Sequence, residues 1–149
     1  AGYSSMTRDN FLGFGCSATT LLKDQFKINT FSVEEYCKRV DEGKLATSLT
    51  IRFTTRQRMI YYLFWTAYST QVDRRDFEKF FGVPLKKMYG CELWLAKQLG
   101  FVTETDGVYG MTLKGAFYYH YYENFYTLAY IDKMWGIMRE QAFPERIEL

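Results

Sequence analysis

The sequence predicts a mainly helical domain carrying a small β-hairpin, and three observations lead there. Helix-start and helix-stop residues recur as matched sets: Ser32 with Glu35 and Gly43, Asp73 with Gly82, Pro84 with Gly100. Between them, apolar residues repeat at the three- and four-residue spacing of a helix face. One Asp-Gly pair, Asp106-Gly107, separates two short runs suited to paired strands. Helix, helix, hairpin, helix in that order makes the 31–149 region winged-helix-like.

Composition bounds the chain before any motif does. Its 149 residues, 48% apolar with two prolines, suffice for one hydrophobic core and argue against disorder. The formal charge of +2 gives no general electrostatic case for nucleic acid. Thirteen Tyr and thirteen Phe imply faces covered by a partner or by a further domain. Cys16, Cys37 and Cys91 are odd in number and far apart, and the first residues lack the regions of a signal peptide, so a reduced cytoplasmic setting is expected. The longest apolar run, Ile60 to Tyr68, is too short to span a bilayer, which excludes a membrane protein.

Taken in order, Phe11-Leu-Gly-Phe-Gly-Cys-Ser-Ala18 suits the end of a buried strand: Phe11, Leu12 and Phe14 supply side chains, and Gly13 and Gly15 leave bare backbone for close approach. Its glycine spacing fits neither a dinucleotide fingerprint nor a phosphate loop. Thr19 to Asn29 reads as irregular or hairpin-like. A helix starts at Ser32 through a Ser-x-x-Glu box with Glu35 and stops at Gly43, burying Phe31, Tyr36, Val40 and Cys37, the last as a small core residue. Lys44 to Phe53 crosses the surface. A second helix starts at Thr54 or Thr55 and buries Met59, Ile60, Leu63, Phe64 and Ala67, with Arg56 and Arg58 as solvated arginines or as contacts to something else.

Asp73 caps a short helix through Phe81. Pro84 opens the next, whose buried stripe is Leu85, Met88, Tyr89, Leu93, Ala96 and Leu99. Phe101 to Thr112 folds as the hairpin, and Thr112 caps a long final helix. In this frame Lys86, Lys87 and Lys97 outnumber Glu92 on the would-be recognition helix, but the hairpin holds Glu104 and Asp106 and no base, so an acidic wing would be repelled by phosphates. No nucleic-acid partner is expected.

Along the final helix, Phe117, Tyr121, Phe125, Leu128, Ile131, Trp135 and Met138 form one broad stripe, with tyrosines on other faces. Two copies pairing through this aromatic helix would cover it, as would a further domain. Tyr118, Tyr122 and Tyr126 face either the core or a flat ligand. His120, the single histidine, has no ligand set at metal spacing, so neither a metal site nor a catalytic residue is assigned.

Tyr3-Ser-Ser-Met-Thr-Arg-Asp-Asn10 running into Phe11-Leu-Gly-Phe-Gly-Cys-Ser-Ala18 resembles the last barrel segment of oxygen-independent coproporphyrinogen III oxidases and related radical S-adenosylmethionine enzymes, where a Gly-x-Gly-x-Ser-Ala run precedes a helical C-terminal domain. The resemblance implies a terminal barrel-strand segment over 1–30, a helical domain over 31–149, and a missing N-terminal barrel as partner. It implies S-adenosylmethionine beside Gly15, Ser17, Ala18 and Thr19, although Thr19 stands where an aliphatic residue is usual. The family's [4Fe-4S] cluster sits on a Cys-x3-Cys-x2-Cys loop, which Cys16, Cys37 and Cys91 do not reproduce. The cofactors therefore belong to the full-length enzyme, and the isolated chain is expected to be inactive. Its substrate is a tetrapyrrole, a porphyrinogen or, in the related haem-degrading enzymes, haem. A winged-helix DNA-binding or protein-interaction module is the alternative from another class.

Overall fold

A computed structural model describes residues 10–145. The elements are β1 (Thr19–Leu22), β2 (Gln25–Asn29), α1 (Val33–Asp41), β3 (Thr47–Arg52), α2 (Thr55–Tyr68), β4 (Gln71–Asp73), α3 (Arg74–Phe81), α4 (Leu85–Gln98), β5 (Val102–Thr105), β6 (Val108–Met111), α5 (Leu113–Tyr126), a π-helical turn (Thr127–Ile131) and α6 (Asp132–Glu140). The part of the family-like run before Asn10 lies outside the described residues.

The architecture is mixed α/β, with more strand than the expected helices and small hairpin, and the Thr19 to Asn29 segment takes the hairpin form of its two readings. Two open antiparallel sheets are present, ordered β1-β2-β3 and β4-β6-β5. Strand β3, expected as a surface crossing, pairs with β2 and sets Leu49 opposite Ile28 and Ile51 opposite Phe26. Its hydroxyl-rich sequence hides it, because the ladder is made by backbone groups whatever the side chains are.

The chain divides into two compact units whose boundaries fall between Arg58 and Met59 and between Glu123 and Asn124. The unit over 59–123 is centred on Met59, Tyr62, Phe77, Leu85 and Tyr109. Asp73 starts α3 by accepting from the Arg75 amide at 2.8 Å, and Gly82 ends it in a left-handed conformation, both as expected. The β5–β6 turn places Asp106 and Gly107 at φ +48° and +77°, the positive pair a two-residue hairpin requires. Thr112 caps α5 by accepting from the Gly115 amide at 3.0 Å.

Helix α2 buries Met59, Tyr62 and Thr66, not the expected Ile60, which is half exposed. The aromatic Tyr62 is drawn inward by Phe77, Phe80 and Phe81, whose ring centroids lie 5.9, 5.4 and 5.4 Å away. On α4 only Leu85 is fully buried, while Met88 and Leu99 of the expected stripe are exposed. Tyr89 leaves helical geometry at φ −134°, ψ 26°, and this kink breaks the periodicity on which that stripe was built.

The second unit contains Ile28, Met134 and Met138 as its core, with Phe26, Phe31, Leu49 and Ile131 against them. Helix α1 begins at Ser32, whose hydroxyl accepts from the Glu35 amide at 3.3 Å. The reciprocal half of the expected box is replaced, because the Ser32 amide donates to the Thr30 hydroxyl at 3.3 Å. None of α1 is fully buried, and Cys37, expected in the core, is exposed. A complete box stands at the start of α2: the Gln57 amide donates to Thr54 Oγ1 at 3.3 Å, and the Thr54 amide to Gln57 Oε1 at 2.8 Å. Of the two readings for Arg58, the contact is the one found: it is buried and donates from Nε to the Lys23 carbonyl at 3.1 Å in the β1–β2 turn.

The largest correction concerns the final helix. The π turn closes with the Asp132 amide on the Thr127 carbonyl, a five-residue loop that rotates everything after it relative to a continuous α-helix. Met134 and Met138 are buried, whereas Phe117, Tyr121, Phe125 and Leu128 are exposed by 66, 61, 67 and 60%. One stripe drawn across 117–138 therefore does not exist as a buried face.

Candidate functional site

The Phe11–Ala18 segment is not a buried strand end. Phe11 makes a single antiparallel bridge to Leu21, and the chain then turns, leaving Leu12 largely exposed and Phe14 86% exposed. Gly13 explains the turn: a Cβ there would lie 2.1 Å from the Thr19 carbonyl oxygen, and its amide donates to Thr20 Oγ1 at 2.9 Å. The expected close approach of backbone to backbone is present, and its partner is the chain itself.

The next residues are tied down by five hydrogen bonds. The Gly15 amide donates to the Tyr36 hydroxyl at 3.0 Å, and its carbonyl accepts from Asn29 Nδ2 at 2.9 Å. The Ser17 amide donates to the Thr30 carbonyl at 2.9 Å, and the Ala18 carbonyl accepts from the Asn29 amide at 3.0 Å. Cys16 points its thiol at the Thr30 carbonyl, 3.1 Å away. The turn is thus rigid, with Gly15 and Ser17 both at positive φ, +103° and +58°. For serine that conformation costs about 1–2 kcal/mol. Ser17→Gly removes the strain but adds about 0.5–1 kcal/mol of unfolded-state entropy. A net stabilisation of about 0.5 kcal/mol is expected in chemical denaturation, and a clear loss of stability would show that the Ser17 side chain supports the turn.

Of the expected site residues, Ser17 and Thr19 line an open depression of about 520 Å³ together with Ile28, Phe31, Trp135 and Arg139. Gly15 and Ala18 do not line it; they hold the turn in place through their backbone bonds. Sequence reasoning assigned neither Trp135 nor Arg139 to this place. Their four-residue spacing on α6 was a usable signal, since residues so spaced share a helix face. The Phe31 and Trp135 rings meet edge-on at 6.3 Å and 65°.

Tyr118, Tyr122 and Tyr126 lie on neither a core face nor this depression: each is exposed. His120 is exposed and bonds Glu123 through Nδ1 at 3.0 Å. Tyr119 donates to the Phe64 carbonyl at 2.9 Å, and burial pushes its phenol well above the usual range. Among the described residues no three His, Cys, Asp or Glu side chains gather as a metal-ligand group. With Cys37 and Cys91 exposed and Cys16 turned onto a carbonyl, the donor set does not fit an iron–sulfur cluster.

On the hairpin, Glu104 does not act as a repelling wing residue. It binds Lys86 at 2.9 Å and Lys97 at 2.8 Å, both on α4, with only 16% of its side chain exposed. Bonds to Lys97 and Lys86 hold its carboxyl down at about 2, against 4.5 ordinarily. Because the folded value is the lower one, the contribution to stability is full above 4.5 and is lost as pH falls towards 2. Melting the wild type and Glu104→Gln across that interval is expected to show the wild type losing its advantage with acid; parallel curves would remove the pair from the stability of this unit.

The fold and its site define a class first: a helical module with two small open sheets, bearing a rigid turn beside an aromatic and cationic depression. No family model and no curated protein matches this chain. Among solved structures it is similar to coproporphyrinogen III oxidase from Escherichia coli, described as a radical SAM enzyme, with 21% identity over 74% of this chain and a TM-score of 0.53. The match covers 26% of that enzyme, so this chain spans about a quarter of its length. At that identity the likeness is one of fold. Among the described residues no helix is long and apolar enough to cross a membrane.

Proposed function

We propose that this chain is the C-terminal part of a radical S-adenosylmethionine oxidoreductase acting on a tetrapyrrole, similar to the coproporphyrinogen III oxidases. Residues 1–30 would complete a barrel supplied by a missing N-terminal domain, and 31–149 would flank its site. Two observations support the reading: a solved structure of that enzyme class shares this fold, and the chain carries a Gly-Phe-Gly-Cys-Ser-Ala turn tied down by its own hydrogen bonds. That turn would present Gly15, Ser17, Ala18 and Thr19 to S-adenosylmethionine. The cluster and the reducing electron would come from the missing domain, so the chain alone is inactive and cytoplasmic. Porphyrinogen and haem both suit the reading.

The helices and hairpin over 73–126 would then serve as a winged-helix-like packing module rather than a DNA reader, because Glu104 occupies two of the bases that phosphates would need. Exposed Phe117 and Tyr121 offer the missing domain, or a second copy, an apolar surface. Sequencing the gene upstream of Ala1 tests the assignment. A Cys-x3-Cys-x2-Cys loop at the head of a barrel is expected, and a complete reading frame without one overturns it.

A further inference from the structure

We infer that a notch on the outer face of α4 takes an acidic segment of another protein, with an apolar side chain seated over Gly90 and a neighbouring carboxylate held by Lys86 and Lys97. Every residue involved belongs to the 59–123 unit and none to the 15–19 turn, so the proposed function is not assumed. Lys86, Gly90, Trp94 and Lys97 follow one another at helical spacing and share a face. Leu93 and the buried Tyr109 form the floor. Glu104 stands between the two lysines, 2.9 Å from Lys86 and 2.8 Å from Lys97.

Gly90 points to an occupant from outside the chain. A glycine inside a helix is less stable there than an alanine, so it calls for a compensating reason. Gly13 and Gly115 have theirs within the chain, because a Cβ would strike the backbone of Thr19 and of Phe101. Gly82 and Gly100 take left-handed backbone. Gly90 does neither: its φ is not in that region, and a Cβ would meet nothing within 4 Å. Its bare backbone lies open for close approach by a partner. Trp94 beside it is 62% exposed, and among the described residues no ring packs on it. Tryptophan in a concave spot is the side chain most enriched among interface anchors. The notch holds about 200 Å³, below the roughly 300–1,000 Å³ of small-molecule sites, which suits one side chain of a partner.

Charge fixes the sign of that partner. Lys86 and Lys97 set two positive charges against the single carboxylate of Glu104, and an ammonium has donors to spare beyond one bond. Lys87, next along α4, is exposed and, among the described residues, has no carboxylate within ion-pair distance. Glu92 of the same helix does not line the notch. A complementary segment is therefore acidic. A protein fits better than a nucleic acid, because a phosphate backbone crossing the notch would run onto Glu104 and Asp106 of a hairpin that holds no base. One carboxylate needs only the lysine pair.

The test screens the intact gene product, with anything encoded upstream of Ala1, against a displayed library of random peptides. A selected peptide is then titrated by calorimetry against wild type, Gly90→Leu, Trp94→Ala and Lys86→Gln. The expected consensus is a large apolar residue flanked by Asp or Glu. Gly90→Leu is expected to melt no lower than wild type, since its side chain enters open space and favours the helix. It should nevertheless bind about tenfold more weakly or worse, a loss that unfolding cannot explain. Trp94→Ala is expected to lose as much, and Lys86→Gln to bind more weakly and with less sensitivity to salt. A consensus without acidic residues, binding indifferent to Gly90→Leu, or no peptide enriched over the Gly90→Leu protein overturns the inference. So does duplex DNA that binds wild type and is lost in Trp94→Ala. None of these outcomes bears on an upstream cysteine loop, so the enzyme assignment stands or falls separately.

Discussion

Phe77→Ala is expected to destabilise the 59–123 unit by about 4 kcal/mol, the largest effect of any single truncation in that core. Phe77 is fully buried and stands at the point where helix α3 meets the rest of its unit. Its ring lies 4.7 Å from Phe81, 5.9 Å from Tyr62 and 6.3 Å from Tyr89, the last two edge-on. Truncation removes the transfer energy of a phenyl group, about 2–3 kcal/mol. It also leaves a cavity that the surrounding rings are too stiff to fill, which adds the remainder. Urea denaturation followed by tyrosine and tryptophan fluorescence measures the change. A loss below about 1 kcal/mol would mean that these aromatic residues repack freely.

Gly13→Ala is expected to cost about 3 kcal/mol of stability. The added methyl would meet the Thr19 carbonyl oxygen at 2.1 Å, its carbon at 2.7 Å and its nitrogen at 2.9 Å, all backbone. No rotamer change relieves such a contact. The turn must move away from β1, and the Gly13 amide then loses its bond to Thr20 Oγ1. Because Thr19 lines the depression, the same movement reaches the site. Urea denaturation measures the loss. A variant as stable as wild type would show that the 11–18 segment is loosely attached, and would remove the rigid turn from the account of the site.

How far the chain was legible differs by element, and the difference is physical. The start of α1 at Ser32, the limits of α3 at Asp73 and Gly82, and the Asp106-Gly107 hairpin are satisfied by atoms a few residues apart. Strand β3 and the burial of Arg58 depend on partners far along the chain, at β2 and at Lys23. The turn at Gly13 was legible as a place of close approach; that Thr19 is what approaches was not.

The sequence by itself determined where several helices begin and end and where the hairpin turns, because these follow from local sterics and nearest hydrogen bonds. Only the tertiary structure decided which residues share a site. The π turn before Asp132 changes the rotation of α6, and long-range packing on Ile28 then brings Trp135 and Arg139 to the same depression as Ser17 and Thr19. A helical period read from residue order cannot register that added residue, since its effect is to break the period.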